Sequence, residues 1–412
     1  MRAVIRPSRA GGTVIVPPSK SMAHRALIAA SLASSASVID NLALSEDLQA
    51  TIDCLHAMGA AVDYSNGTAI ITGRVLEHTS EGAILPCRAS GSTLRFLIPV
   101  VLTTDKCFSF TGDTSLFSRP LSVYETICRS QGLRFDLERD RLTVCGRLSA
   151  TAYHVPGNIS SQFISGLLFA LPLLDGNSTI CVAPPVESRP YIRMTLQSLS
   201  HFGVEADVSG DRILISGRQE YCPTQYTVEG DWSSGAYLAA LNLLDGKVSL
   251  TGLTSDSMQA DAIFPSYYST LQQGSPTLNL ADCPDLGPIC MAMAAALNGA
   301  VFTGVRRLRL KESDRIAAML EELSKFGGEL VVEADQVRVP SATLHRPTRS
   351  LSAHGDHRIA MALSILCTLT GGVIEGAEAV KKSYPSFFRD LRKLGIDCTL
   401  LNNEGDDVSL WI

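Results

Sequence analysis

Pro17-Pro18-Ser19-Lys20-Ser21-Met22-Ala23-His24-Arg25, which follows the apolar run Thr13-Val14-Ile15-Val16, is the stretch from which the fold can be read. Two prolines end a strand and Ser19 offers a helix N-cap. An Ala/Leu/Ile-rich helix is then expected from about Met22 to Leu32. Lys20 and Ser21 fall at the positive end of that helix dipole beside unpaired N–H groups, and Arg25 lies one turn further on the same side. Dipole, free donors and cations all attract an anion. Taken alone, the segment is a capped surface helix with solvated charges. Its repetition along the chain changes that reading.

Polar clusters opening Ala/Leu-rich helices recur at Ser90-Gly91-Ser92-Thr93, Ser160-Ser161-Gln162, Asp231-Trp232-Ser233-Ser234, Asp285-Leu286-Gly287 and Gly355-Asp356-His357-Arg358. Their spacing is about seventy residues except in the fourth unit, where one strand is missing around Leu271 to Leu280. A second pattern runs in register with the first: a helix ending at glycine, then two alternating strands. It reads Leu55 to Gly59, Ile127 to Gly132, Leu196 to Gly203, Leu320 to Gly327 and Leu391 to Gly395, each glycine being expected at a helix C′ position with positive φ. The strands that follow are expected at Ala61 to Tyr64 with Ala69 to Thr72, at Arg134 to Leu137 with Arg141 to Val144, and at Val204 to Val208 with Arg212 to Ser216.

Six β-α-β-α-β-β units in two groups of three give an α/β protein with two similar domains. Repeat symmetry places one at 19–228 and the other at 1–18 plus 229–412, joined by two hinge strands; a simple split of the chain into halves is the alternative. Helix N-termini within a domain share one face, and two such faces opposed would line a cleft suited to a multiply charged anion, closing on ligand.

Composition agrees with this class. The chain has 412 residues, 45% apolar and 6% aromatic, too long for one ordinary core. A net charge of -6 argues against nonspecific nucleic-acid binding. The eleven cysteines form no Cys-x-x-Cys and no metal spacing, so reduced thiols packed as small hydrophobes are expected. Met1 to Pro7 lacks a signal-peptide apolar region, and the longest apolar run, Phe163 to Leu174, is too short to cross a bilayer. A cytoplasmic protein without membrane attachment is expected. There is no Walker loop or Gly-x-Gly-x-x-Gly. His357 has no third group to complete a nucleophilic triad and reads as structural. Arg306 and Arg307 read as a solvated face, whereas Lys311-Glu312-Ser313-Asp314-Arg315 reads as a loop entering the helix Ile316 to Leu323, with Ser313 as its cap.

Taken in order, Pro18-Ser19-Lys20-Ser21 with Arg25, Ser90-Gly91-Ser92-Thr93-Leu94-Arg95, Ser160-Ser161-Gln162-Phe163, Ser188-Arg189-Pro190-Tyr191, Lys311-Glu312-Ser313-Asp314-Arg315, Asp356-His357-Arg358 and Lys382-Ser383-Tyr384-Pro385 resemble the 5-enolpyruvylshikimate-3-phosphate synthase family. The resemblance covers the whole chain. It implies a two-domain inside-out α/β barrel and transfer of the enolpyruvyl group of phosphoenolpyruvate to the 5-hydroxyl of shikimate 3-phosphate, with loss of phosphate. It implies no cofactor, no metal, and a monomer.

By matching position, the resemblance gives Lys20, Ser21, Arg25, Ser160, Ser161, Gln162, Ser188, Tyr191, Asp285 and Lys311 to shikimate 3-phosphate. Lys20, Gly91, Arg119, Gln162, Arg315, Arg358 and Lys382 go to phosphoenolpyruvate. Asp285 would take the hydroxyl proton, and Glu312, assisted by Lys20, would protonate the methylene carbon. The match departs at Ala89, Ser92 and Phe96, all on the phosphoenolpyruvate side. Two other readings remain: the sister transferase acting on UDP-N-acetylglucosamine, whose loop reads Lys-Asn, and a non-catalytic phosphometabolite binder, for which two retained carboxylates would be a handicap.

Overall fold

A computed structural model describes all residues except 74, 75, 77, 78 and 410–412. They divide into two compact units, one continuous from Pro18 to Glu229, the other combining Met1–Pro17 with the chain from Gly230.

The continuous unit contains α1 (Lys20–Leu32), α2 (Glu46–Ala57), α3 (Gly91–Val101), the short α4 (Thr114–Phe117), α5 (Ser122–Ser130), α6 (Ser161–Ala170) and α7 (Arg189–His201). Residues of α1, α3 and α6 are buried on nearly every side. Their Ala/Leu/Ile/Phe composition with no polar stripe is what a central helix needs. The strands lie outside them and alternate between covered and exposed residues.

Each sheet has one order: a parallel pair, then two antiparallel neighbours. Gln225–Thr227 pairs with Ala36–Asp40, then Thr68–Thr72 and Ala61–Ser65. Ala83–Arg88 begins the second sheet, followed by Cys107–Gly112, Arg141–Cys145 and Arg134–Leu137. Ala152–Pro156 begins the third, followed by Ser178–Ala183, Arg212–Ile215 and Asp207–Ser209. The first sheet is thus completed by a strand from the end of the unit. There Ser19 N donates to Glu229 O at 2.8 Å, so the ends of the unit meet.

The other unit contains α8 (Trp232–Ala240), α9 (Phe264–Gln273), α10 (Gly287–Ala296), α11 (Arg315–Lys325), α12 (His357–Thr370) and α13 (Phe387–Lys393), with α8, α10 and α12 buried together. Two of its sheets keep the same order. Thr277–Asn279 leads Ala300–Thr303, Gln336–Val339 and Val331–Val332, while Leu351–Ser352 leads Gly372–Glu375, Arg2–Ile5 and Cys398–Leu401. The third has only Lys247–Thr251 beside Gly11–Ile15, because α9 passes to Thr277 with no hairpin between. That is the short fourth repeat. Here Asp231 N donates to Pro17 O at 2.8 Å.

All five repeat-ending glycines have positive φ, from +68° at Gly132 to +94° at Gly59. Four details differ from expectation. Helix α1 begins two residues early, at Lys20, because Ser19 accepts from Met22 N. Val204 to Ala206 are irregular, and the strand there is Asp207–Ser209. Arg307 is buried rather than solvated. Cys107 and Cys145, opposite each other on antiparallel strands, form a disulfide, so not every thiol is reduced.

Candidate active site

In the continuous unit three inner helices open on the polar clusters, and their caps are those the residue types dictate. Ser19 accepts from Met22 N, Ser90 from Thr93 N and Ser160 from Gln162 N. Lys20 is the first residue of α1, and its Nζ lies 2.6 Å from Asp47 on α2. Arg25 is buried. Its Nε donates to Thr195 Oγ1 at 2.8 Å, Nη1 to Ser21 O at 2.7 Å and Nη2 to Tyr191 O at 3.1 Å. Arg25, Ser21 and Tyr191 are thereby drawn together, with Ser188 buried one turn before Tyr191 in left-handed backbone at φ 55°.

The second cluster of that unit centres on Gln162. Its Oε1 accepts from Arg95 Nη1 at 2.7 Å and its Nε2 donates to Ser92 Oγ at 2.9 Å. A Cβ at Gly91 would stand 2.9 Å from Arg119 Nη1 and 3.3 Å from Arg95 Nη1, so the glycine allows two guanidinium groups to crowd the start of α3. Ser160 and Ser161 complete the start of α6. Two departures from the family pattern acquire roles: Ser92 holds Gln162, and the buried Phe96 ring lies 5.1 Å from the Arg25 guanidinium.

The other unit builds its own cluster around Asp285, in the 3₁₀ turn that leads into α10. The Asp285 carboxylate accepts from Arg315 Nη1 at 2.8 Å, Lys311 Nζ at 3.2 Å and Arg358 Nη2 at 3.3 Å. Arg315, at 1% side-chain exposure, also donates to Glu312 at 2.9 Å and through Nε to Asp356 at 2.9 Å. Asp356 in turn caps α12 by accepting from Arg358 N. Lys382 Nζ donates to Gly355 O at 2.8 Å, beside that cap. The expected cap of α11 is displaced by one residue: Asp314 accepts from Ile316 and Ala317, while the Ser313 hydroxyl donates to Asp356.

Burial would push the Asp285 carboxyl up, but Lys311, Arg358 and Arg315 outweigh it and hold it well below the usual range. Burial pulls Lys311 down against the opposing pull of Asp285. Burial would also lower Arg315, yet Asp356, Asp285 and Glu312 raise it well above the ordinary value. The resting cluster is thus a set of mutually neutralised charges with low water access. An incoming anion can take over the cations, and Asp285 then becomes a stronger base.

Sequence reading missed Asp47 and Asp261, and it named Asp356 only as part of a motif, without its partner. Asp47 and Asp356 are the carboxylates that hold Lys20 and Arg315, and both sit in capping segments, where acidic residues are ordinarily unremarkable. Asp261 is buried, accepts from the Ser233 hydroxyl, and is pushed up to about 7 by burial and by the charge of Asp285. Glu321, Glu322 and His354 place donor atoms within 4.8 Å of one another. Lys325 Nζ lies 2.8 Å from both Glu322 oxygens and 3.3 Å from Glu321, supplying there the charge a cation would.

The family model described as EPSP synthase (3-phosphoshikimate 1-carboxyvinyltransferase) matches residues 4–267 and 267–391. A 3-phosphoshikimate 1-carboxyvinyltransferase of Clostridium kluyveri is 38% identical over 414 residues, spanning 95% of this chain and 96% of its own. One from Brachyspira hyodysenteriae is 35% identical over 421 residues, spanning 96% and 99%. A solved EPSP synthase from Acinetobacter baumannii has the same fold, with a TM-score of 0.78 at 22% identity over 97% of this chain and 100% of that one.

Proposed function

Since the chain belongs to the EPSP synthase (3-phosphoshikimate 1-carboxyvinyltransferase) family, we propose how its own residues divide the two substrates of that reaction. The activity is transfer of the enolpyruvyl group of phosphoenolpyruvate to the 5-hydroxyl of shikimate 3-phosphate, with release of phosphate. Each substrate carries a phosphate and a carboxylate, so clustered arginines and lysines at helix starts meet a chemical need.

From the continuous unit, Lys20, Ser21, Arg25, Ser160, Ser161, Gln162, Ser188 and Tyr191 bind shikimate 3-phosphate, and Lys20, Gly91, Arg119 and Gln162 bind phosphoenolpyruvate. From the other unit, Asp285 and Lys311 bind shikimate 3-phosphate, while Arg315, Arg358 and Lys382 bind phosphoenolpyruvate. The observation that carries this reading is Asp285, held by three cations. Once the substrate anions draw on those cations, the carboxylate regains basicity and takes the proton of the attacking hydroxyl. Glu312, assisted by Lys20, delivers a proton to the methylene carbon as the hydroxyl oxygen adds, giving a tetrahedral intermediate that carries a methyl group. Elimination then breaks the carbon–oxygen bond to phosphate while a methyl proton returns to the Glu312 carboxylate, which restores the enolpyruvyl double bond, and the proton taken by Asp285 leaves with the phosphate. Preorganised guanidinium groups stabilise the developing charge without reorganising. The protein acts as a cytoplasmic monomer, a reading supported by family membership.

The test is phosphate release from phosphoenolpyruvate with shikimate 3-phosphate as acceptor. Turnover with this acceptor is expected. No release, or release only with UDP-N-acetylglucosamine, would overturn the reading.

A further inference from the structure

A line of polar groups crosses the core of the continuous unit without taking part in the proposed chemistry. His24 Nδ1 on α1 lies 2.7 Å from Thr51 Oγ1 on α2, and Thr51 Oγ1 lies 2.7 Å from Thr93 Oγ1 on α3. The Thr93 hydroxyl donates at 2.7 Å to Ser90 Oγ, the cap of α3. His24, Thr51, Thr93 and Ser90 are each fully buried. They lie within a core built largely of Leu, Ile, Phe and Ala. A hydroxyl placed in such surroundings is costly unless it is bonded, and hydrogen bonds between hydroxyls on three helices favour one arrangement of the elements that carry them.

The direction of the line follows from its far end. Thr93 gives its single proton to Ser90, so Thr51 must donate to Thr93. The Thr51 approach to Asp47 O, at 3.5 Å, is too long to compete. His24 must then donate from Nδ1, which fixes the tautomer. Burial, then Lys20 and Arg25, push this imidazole well below the ordinary 6.5, keeping it neutral. The line joins the loop at the start of α1, assigned to both substrates, to the loop at the start of α3, assigned to phosphoenolpyruvate. Helix α1 carries Lys20 and Ser21 at its start, α3 begins at Gly91 immediately after Ser90, and α2 meets α1 through the Lys20–Asp47 pair at 2.6 Å and α3 through Thr51.

We propose that His24, Thr51 and Thr93 are positioning residues that set the Ser90–Gly91 turn against the Lys20 end of α1, adjusting recognition of phosphoenolpyruvate separately from that of shikimate 3-phosphate. The proposal rests on the assignment of Gly91 to phosphoenolpyruvate.

The test uses the full chain and steady-state kinetics with each substrate varied at saturating levels of the other. Thr93→Val keeps shape and removes the hydroxyl. Its KM for phosphoenolpyruvate is expected to rise about five- to tenfold, in the range expected for the two hydrogen bonds its hydroxyl makes, with the KM for shikimate 3-phosphate within about twofold. Thr93→Ser restores the bond and returns the phosphoenolpyruvate KM to near the parent value. Equal movement of both KM values, no movement of either, or failure of Thr93→Ser to rescue would overturn the proposal. If Thr93→Val does not fold, Thr51→Val breaks the same line and is read against Thr51→Ser by the same criteria. Gly91→Ala separates the premise from the proposal. If it leaves the phosphoenolpyruvate KM unmoved while Thr93→Val shifts it, the line stands and the Gly91 assignment falls. If Gly91→Ala is selective and Thr93→Val silent, the line falls alone.

Discussion

Arg315 illustrates what a single residue carries here. Its guanidinium is almost wholly buried and serves Asp285, Glu312 and Asp356 at once. Arg315→Ala would leave three carboxylates without their shared cation, and removal of one partner of a buried pair costs ~3–5 kcal/mol. Denaturant unfolding should show that loss; a change below about 1 kcal/mol would mean that Lys311 and Arg358 can replace it. Asp285→Asn tests the chemistry. Turnover should fall by ~10²–10⁴-fold, the weight of a general base, while calorimetric binding of shikimate 3-phosphate stays within a few fold. Equal loss of both would make Asp285 a binding group only. Lys311 to Arg315 were legible because they lie together in one charged stretch. Asp47 and Asp261 were not, nor was the part Asp356 plays within its motif, since each gains its meaning from a partner dozens of residues away.

Among elements, helix starts were the most readable. Ser, Thr and Asp at an N-cap make a local hydrogen bond that no tertiary contact has to supply. The cap of α11 escaped because both Ser313 and Asp314 can cap, and only the position of Asp356 directs Ser313 elsewhere. The loop into α12 shows a pH-dependent brace of the same kind. His354 Nε2 lies 2.8 Å from Glu322 Oε1, and Lys325 and Glu321 face the same carboxylate group. The hydrogen bond to Glu322, opposed by partial burial and Lys325 and aided by Glu321, raises the imidazole above its ordinary 6.5. A raised folded value means that the stabilisation is complete below the unfolded value and is lost as pH rises through the folded one. The melting temperature should therefore fall as pH rises above the ordinary histidine range, and His354→Gln should flatten that fall. An unchanged slope in the variant would remove His354 from the account.

At the scale of the molecule, each compact unit owns a separate hydrophobic core, one confined to residues between Met22 and Val228. The fragment 18–229 should consequently unfold in one cooperative transition when expressed alone, as circular dichroism and fluorescence melts that coincide would show. Broad, non-coincident melts would mean that the core is not self-sufficient. The repeat of about seventy residues was legible because its punctuation is chemical: a polar cluster opens each inner helix and a positive-φ glycine closes five of the outer ones. The disulfide was not, because spacing along the chain says nothing of which strands lie side by side.

The meeting of Ser19 with Glu229, and of Pro17 with Asp231, makes the 18–229 segment topologically a guest module whose entry and exit share one doorway. Such a module has no privileged beginning. Sealing residue 18 to 229 and reopening the chain in the hairpin between Leu137 and Arg141 would give a circular permutant with every ladder but that one turn intact, and bonding 17 to 230 would heal the host. The order of the repeats along the gene is, in this respect, a matter of history more than of mechanics.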